Sequence, residues 1–199
     1  NNYLGLRNGV LDQSAILFSR AEHLTVIDCA TLEHNLIPQP ANMPRFAVLI
    51  VFSGLRQALV ATDYNRRVAE CAEAAKVLQA AVGRPHQQPL LRNISPDEYL
   101  AYRHLLHGSE ARRAEHFFSE MERVQQGIQA WQRGDIRSFG ELVSASGRSS
   151  IENYQGGAPP LVDLYKLLIG SEGVFGARFS GAGFRGCCLA LVDASAADT

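Results

Sequence analysis

A chain of 199 residues, 46% hydrophobic and 20% charged, has the make-up of one globular domain or of one domain with part of another, which excludes a disordered or fibrous protein. Its formal net charge of −1 gives no electrostatic draw toward nucleic acid or an anionic membrane surface. No apolar run approaches the roughly 20 residues that a membrane-spanning helix needs.

The opening residues, Asn1-Asn2-Tyr3-Leu4-Gly5, hold neither a basic region nor an apolar signal core. With no initiating Met, the sequence reads as the continuation of a longer cytoplasmic polypeptide. The segment from Gln13 to Ser19 is compatible with a helix or a buried strand. Leu24 to Asp28 alternates with β-branched residues and predicts a strand, with Leu32 to Ile37 as a candidate partner. Pro38, Pro40 and Pro44 with Asn42 then form a polar breaker, the best candidate for a domain boundary.

Phe46 to Phe52 is apolar throughout, which predicts a central strand covered on both faces. From Tyr64 to Val82 the apolar positions Val68, Cys71, Ala75, Leu78 and Val82 fall at helical spacing, and Gly83-Arg84-Pro85 stops the run. Ser95-Pro96-Asp97-Glu98 is a capping box with proline at the first helical position. The next helix carries the stripe Ala114, Phe117, Met121, Val124, Ile128 and Trp131 and ends at Gly134. Asp135 caps another helix, and Pro159-Pro160 opens a further one that Gly170 closes. Val174 to Phe179 and Cys187 to Val192 predict strands, and Ala194 to Thr199 begins a helix. One strand, several helices and two further strands predict an α+β sandwich with helices on one face of a sheet.

The cysteines Cys29, Cys71, Cys187 and Cys188 include no CxxC pair, which predicts reduced, mostly buried thiols. His104 and His107 supply at most half of a metal site, and no metal is expected. Ser180 to Gly186 contains a GxGxxG match, but a β-like run follows it directly where a dinucleotide fold needs a helix. Two readings of this glycine turn stay open: a tight hairpin, or a stretch where backbone approaches a ligand closely.

Three ordered blocks carry a resemblance. Arg178-Phe179-Ser180-Gly181-Ala182-Gly183-Phe184-Arg185-Gly186-Cys187 resembles the third motif of galactokinase-type GHMP kinases, R-M-[TS]-G-G-G-F-G-G-C. Asn8 to Gln13 resembles C-G-I-M-D-Q. Phe46 to Leu59, followed by Tyr64, Arg66, Arg67 and Cys71, resembles the family's apolar strand, its S-x-x-R-x-x-L and its Y-x-x-R-x-x-x-C. Where galactokinases carry S-H-x-S-L and S-x-P-E-L-D, this chain reads Ser146-Gly147-Arg148-Ser149-Ser150 and Gly157-Ala158-Pro159-Pro160-Leu161, more like galacturonokinases.

The resemblance implies a GHMP-kinase C-terminal ferredoxin-like α/β sandwich over residues 45–199, with its last helix and strand missing. It also implies that residues 1–44 are the end of a truncated N-terminal lobe of the ribosomal S5 domain 2-like type. The implied activity is ATP- and Mg²⁺-dependent phosphorylation of a sugar at the C1 hydroxyl, with D-galacturonate ahead of galactose or arabinose. A non-catalytic sugar sensor of the same family is the alternative from another class, since the phosphate loop is not in these residues. Asp12 matches the catalytic aspartate, although its place before a helix also suits an N-cap. Gly9 and Tyr64 match sugar-binding positions, and Gly181, Ala182 and Gly183 would pack beside the nucleotide. Arg56, Arg66, Arg67 and Arg185 are candidates to read a uronic carboxylate, Arg56 foremost, because a guanidinium grips one in bidentate fashion.

Overall fold

The computed structural model describes residues 9–56, 63–181 and 183–197. The chain opens with α1 (Leu11–Phe18) and an antiparallel hairpin, β1 (His23–Ile27) and β2 (His34–Pro38). β3 (Phe46–Phe52) follows, then α2 (Tyr64–Ala81), α3 (Pro96–Tyr102), α4 (Gly108–Arg133), α5 (Ile136–Glu152) and α6 (Pro159–Ile169). A second hairpin, β4 (Val174–Phe179) and β5 (Cys187–Asp193), ends the regular structure before a short 3₁₀ turn at Ala194–Ala196. No described helix is long and apolar enough to cross a membrane.

Local signals set most element ends. Ser95 accepts from the Glu98 amide while the Glu98 carboxylate accepts from the Ser95 amide, so the predicted capping box forms in full. Asp135 caps α5 by accepting from the Ser138 amide at 3.0 Å. Gly134 takes the left-handed conformation, φ 73°, that ends α4. Asp12 is no cap: α1 starts from Val10, and Asp12 lies within its first turn. The Gln13–Ser19 ambiguity resolves as helix.

Three strands form one antiparallel sheet in the order β3-β5-β4. This corrects the reading of Phe46–Phe52 as a central strand. β3 lies at the edge of the described sheet, with Val48, Ile50 and Phe52 about half exposed or more, Ala47, Leu49 and Val51 turned to the sheet–α6 core, and Phe46 packed toward Trp131. An all-apolar run marks both faces alike, so it does not distinguish a strand covered twice from one whose second face is open. The central strand is β5, whose Cys188, Ala190 and Val192 are fully buried. Of the four thiols only Cys188 is buried, and Cys29 is exposed, against the expectation of mostly buried cysteines. The α4 stripe is likewise incomplete, since Met121 and Val124 are exposed.

Helix α5 lies so close to β4 that the backbones of Gly140 and Gly176 touch, and a Cβ at Gly176 would meet the Gly140 carbonyl. Leu161, Tyr165 and Leu168 of α6 pack on Ala177, Phe179 and Cys188 of the sheet. A separate cluster joins α2, α3 and α4 through Leu78, Tyr99 and Ala114. The β1–β2 hairpin is fastened to α4 by Trp131, whose indole donates to the Pro38 carbonyl at 3.2 Å, and by Asn42, which donates to the Arg133 carbonyl at 2.9 Å.

Candidate active site

Tyr64 opens α2 and is half-buried. Burial pushes its phenol above the ordinary range, and the charge of Asp12 on α1 adds to the rise. Asp12 itself is exposed. Tyr154 lies just past α5: burial raises its hydroxyl, and Cys71 and Tyr64 contribute. Burial pushes the Cys71 thiol up to about 11.

Behind Tyr64 lies a buried ionic cluster that the sequence did not announce. Arg113 of α4 is fully buried; its Nε donates to Glu70 Oε2 at 2.7 Å and its Nη2 to Gln155 Oε1 at 2.9 Å. Its Nη1 donates to the Asn153 carbonyl. Arg67, also buried, donates to Glu70 at 3.3 Å and to the Gln155 carbonyl at 3.1 Å. Burial pushes the Glu70 carboxyl up, but hydrogen bonds from Arg66 and Arg113, with the charges of Arg113 and Arg67, outweigh it and hold Glu70 below its usual range. The one sign of this cluster that a sequence carries is the spacing of Arg66 and Arg67 to Glu70, four and three residues.

The glycine turn is a hairpin, as its spacing allowed. The Ser180 amide donates to the Cys187 carbonyl at 2.8 Å, and Gly181, Gly183 and Gly186 all adopt positive φ. Two neighbours hold it. The Gly186 carbonyl accepts from the Ser53 amide at 3.0 Å and hydroxyl at 2.7 Å, while the Gly183 carbonyl accepts from the Ala158 amide at 2.8 Å. At Gly181 nothing approaches within 4 Å of a would-be Cβ, leaving open space over the backbone. Ala182 falls outside the described residues.

The charge of Asp12 thus reaches Tyr64, and the glycine turn is bonded to the 153–158 loop through Ala158. Gly9 is exposed, with nothing within 4 Å of its Cβ position. Arg56 is exposed and lies over the Phe52 ring at 5.6 Å. Arg185 is exposed, and Arg66 pairs with Glu70 at 3.0 Å and Asp63 at 3.7 Å. Arg67 departs from the reading as a candidate carboxylate reader, because Glu70 and Gln155 occupy it. His104 and His107 are exposed, and among the described residues no group of three metal-binding side chains gathers.

A second polar cluster escaped notice in the sequence. Ser146 donates to Glu120 Oε2 at 2.6 Å and accepts from Arg178 Nη1 at 2.7 Å, while Arg123 donates to Glu120 Oε1 at 2.7 Å. It closes one end of an otherwise apolar cavity of about 280 Å³ between α1, β1, α4 and α5.

Comparison with known proteins bears on the fold and the family. Residues 127–199 match the family model described as GHMP kinases C terminal. All 199 residues align at 56% identity with a galacturonokinase of Arabidopsis thaliana, covering 47% of that relative. At 36% identity, 99% of the chain aligns with 48% of a galactokinase of Homo sapiens. Among solved structures, the galactokinase of Lactococcus lactis complexed with galactose superposes with a TM-score of 0.86 at 32% identity, over 98% of this chain and 49% of that one. The chain thus spans about half the length of the relatives it matches.

Proposed function

The chain carries the C-terminal domain of a GHMP kinase, and from that premise we propose that the protein transfers the γ-phosphoryl group of ATP to the anomeric C1 hydroxyl of a sugar, D-galacturonate ahead of D-galactose. The observation that carries the proposal is the match of the whole chain to sugar kinases, 56% identical to a galacturonokinase and superposing on a galactokinase with a TM-score of 0.86, in which the charge of Asp12 also reaches Tyr64, far from it in the chain. On this reading residues 1–44 end the N-terminal lobe and 45–199 belong to the C-terminal domain.

Phosphorylation of a hydroxyl requires its proton to leave as the phosphoryl group arrives, and most of the acceleration comes from positioning and charge stabilisation. Asp12, exposed on the first turn of α1, is free to accept that proton or to hold the hydroxyl in line. Tyr64 keeps its own proton at neutral pH, because burial and Asp12 both disfavour the phenolate. It serves as a neutral donor and acceptor for a sugar hydroxyl, and Gly9 adds a backbone amide. ATP, when bound with Mg²⁺, supplies the phosphoryl group. The open backbone at Gly181 fits a closely approaching ligand, with Gly183 buried beneath it as a support.

Galacturonate stands first because the 56%-identical relative is a galacturonokinase; the structural match to a galactokinase complexed with galactose puts galactose second. Arg56, exposed four residues past β3 and lying over the Phe52 ring, is assigned the uronic carboxylate. The test is phosphorylation of galacturonate, galactose and arabinose by the full-length protein and its Arg56→Met variant. Selective loss of galacturonate turnover in the variant supports the assignment. Inertness of the wild type toward all three sugars ends the kinase reading in favour of a sugar sensor.

A further inference from the structure

Gln155 is one of few non-glycine residues with positive φ among those described, at 54°. A side-chain-bearing residue holds that conformation, at a cost of about 1–3 kcal/mol, only where its surroundings over-determine it. Here the grip is double: Arg67 takes its carbonyl and Arg113 its side-chain oxygen. The two arginines come from different helices, and Glu70 of α2 binds both. Arg113 is further anchored beside Ala114, which is fully buried in the α2–α4 core.

Such a cluster is a poor stabiliser. Removing charges from water costs nearly as much as their pairing returns, and well-packed apolar side chains of the same volume often do as well. What the cluster does supply is geometry, since a planar fork with fixed donors defines where each partner lies. One edge of the 153–158 loop is held by this fork. Its other edge is bonded to the glycine turn through Ala158 and packed against it at Gly157, whose amide would lie 2.9 Å from a Cβ at Gly183. The first turns of α2, which carry Tyr64, are held by the same fork.

We propose that Arg113 is a positioning residue: with Glu70 and Gln155 it clamps the start of α2 to the 153–158 loop and thereby sets the spacing between Tyr64 and the glycine turn. Resting on the kinase reading above, this deepens it by naming what holds the sugar-side and nucleotide-side groups in register.

Two measurements on the full-length protein test it. In hydrogen exchange, Arg113→Lys should accelerate the amides of Gly156, Ala158 and Ser180 by about tenfold or more while leaving β1 and β2 unchanged. Glu70→Gln, which keeps an acceptor but removes its charge, should do the same and stands in if Arg113→Lys fails to fold. Acceleration confined to α4 and residues 153–155, or spread over the whole fold, overturns the proposal. In kinetics, Arg113→Lys and Tyr64→Phe should be non-additive in kcat/KM, the double variant losing no more than about twice what the worse single loses. Arg113→Lys combined with Arg84→Met, which breaks a remote pair with Glu98, should be additive. Additivity of Arg113 with Tyr64 also overturns the proposal. A wild type inert toward sugars removes the kinase reading alone, and the exchange experiment then decides the clamp by itself.

Discussion

The Ala158 amide donates to the Gly183 carbonyl at 2.8 Å, which makes the start of α6 and the β4–β5 turn one unit. Gly183, at φ 78°, is buried in that contact; Gly181, at φ 103°, is exposed and clear of neighbours.

The two glycines should therefore respond differently to substitution. Gly181→Ala meets only backbone strain, about 1 kcal/mol. Gly183→Ala adds a collision with Phe179 Cε2 at 2.8 Å and the Gly157 amide at 2.9 Å, for a total of about 2–4 kcal/mol. Urea unfolding of each variant measures the difference, and equal losses would contradict the packing described.

At Gly176 an added methyl group meets the Gly140 backbone, which no side-chain rotation relieves. Gly176→Ala should push α5 off β4 and cost more than about 3 kcal/mol. Loss of soluble protein, or a fall in Tm well beyond that of Gly181→Ala, is the expected reading.

Asp12→Asn should leave the fold intact, because the side chain is exposed, and lower kcat by about 10²–10⁴-fold. Thermal unfolding and sugar-phosphorylation rates on the full-length protein check both halves. Full kcat in the Asp12→Asn variant would remove this carboxylate from the chemistry.

His116 makes stability fall in mild acid. Burial lowers its pKa from 6.5 to about 4; Glu120 opposes the shift, and Arg123, Arg178 and Arg113 reinforce it. The folded state thus favours the neutral ring, which pairs with the Ser149 hydroxyl at 2.9 Å. This contribution is complete above pH 6.5 and is lost as pH falls through about 4, with a slope of at most about 1.4 kcal/mol per pH unit. His116→Gln should flatten the stability profile in that window without changing it above pH 7, as followed by urea unfolding against pH.

Sequence alone carried whatever depends on a few adjacent residues. The Ser95–Glu98 box, the Asp135 cap, the Gly134 terminus and the β4 limits follow from torsions and hydrogen bonds that close within one turn or one strand. Motif order placed Asp12, Tyr64 and the glycine turn among the candidates, because that pattern is a property of the string. Tertiary structure decided the rest. β3 became an edge strand through which faces β5 and α6 cover, and an apolar run is silent about that. Arg67 and Arg113 became struts while Arg56 stayed exposed, although all arginines look alike in a sequence. Their roles depend on Glu70 and Gln155 arriving from distant parts of the chain, and such meetings are set by how helices pack.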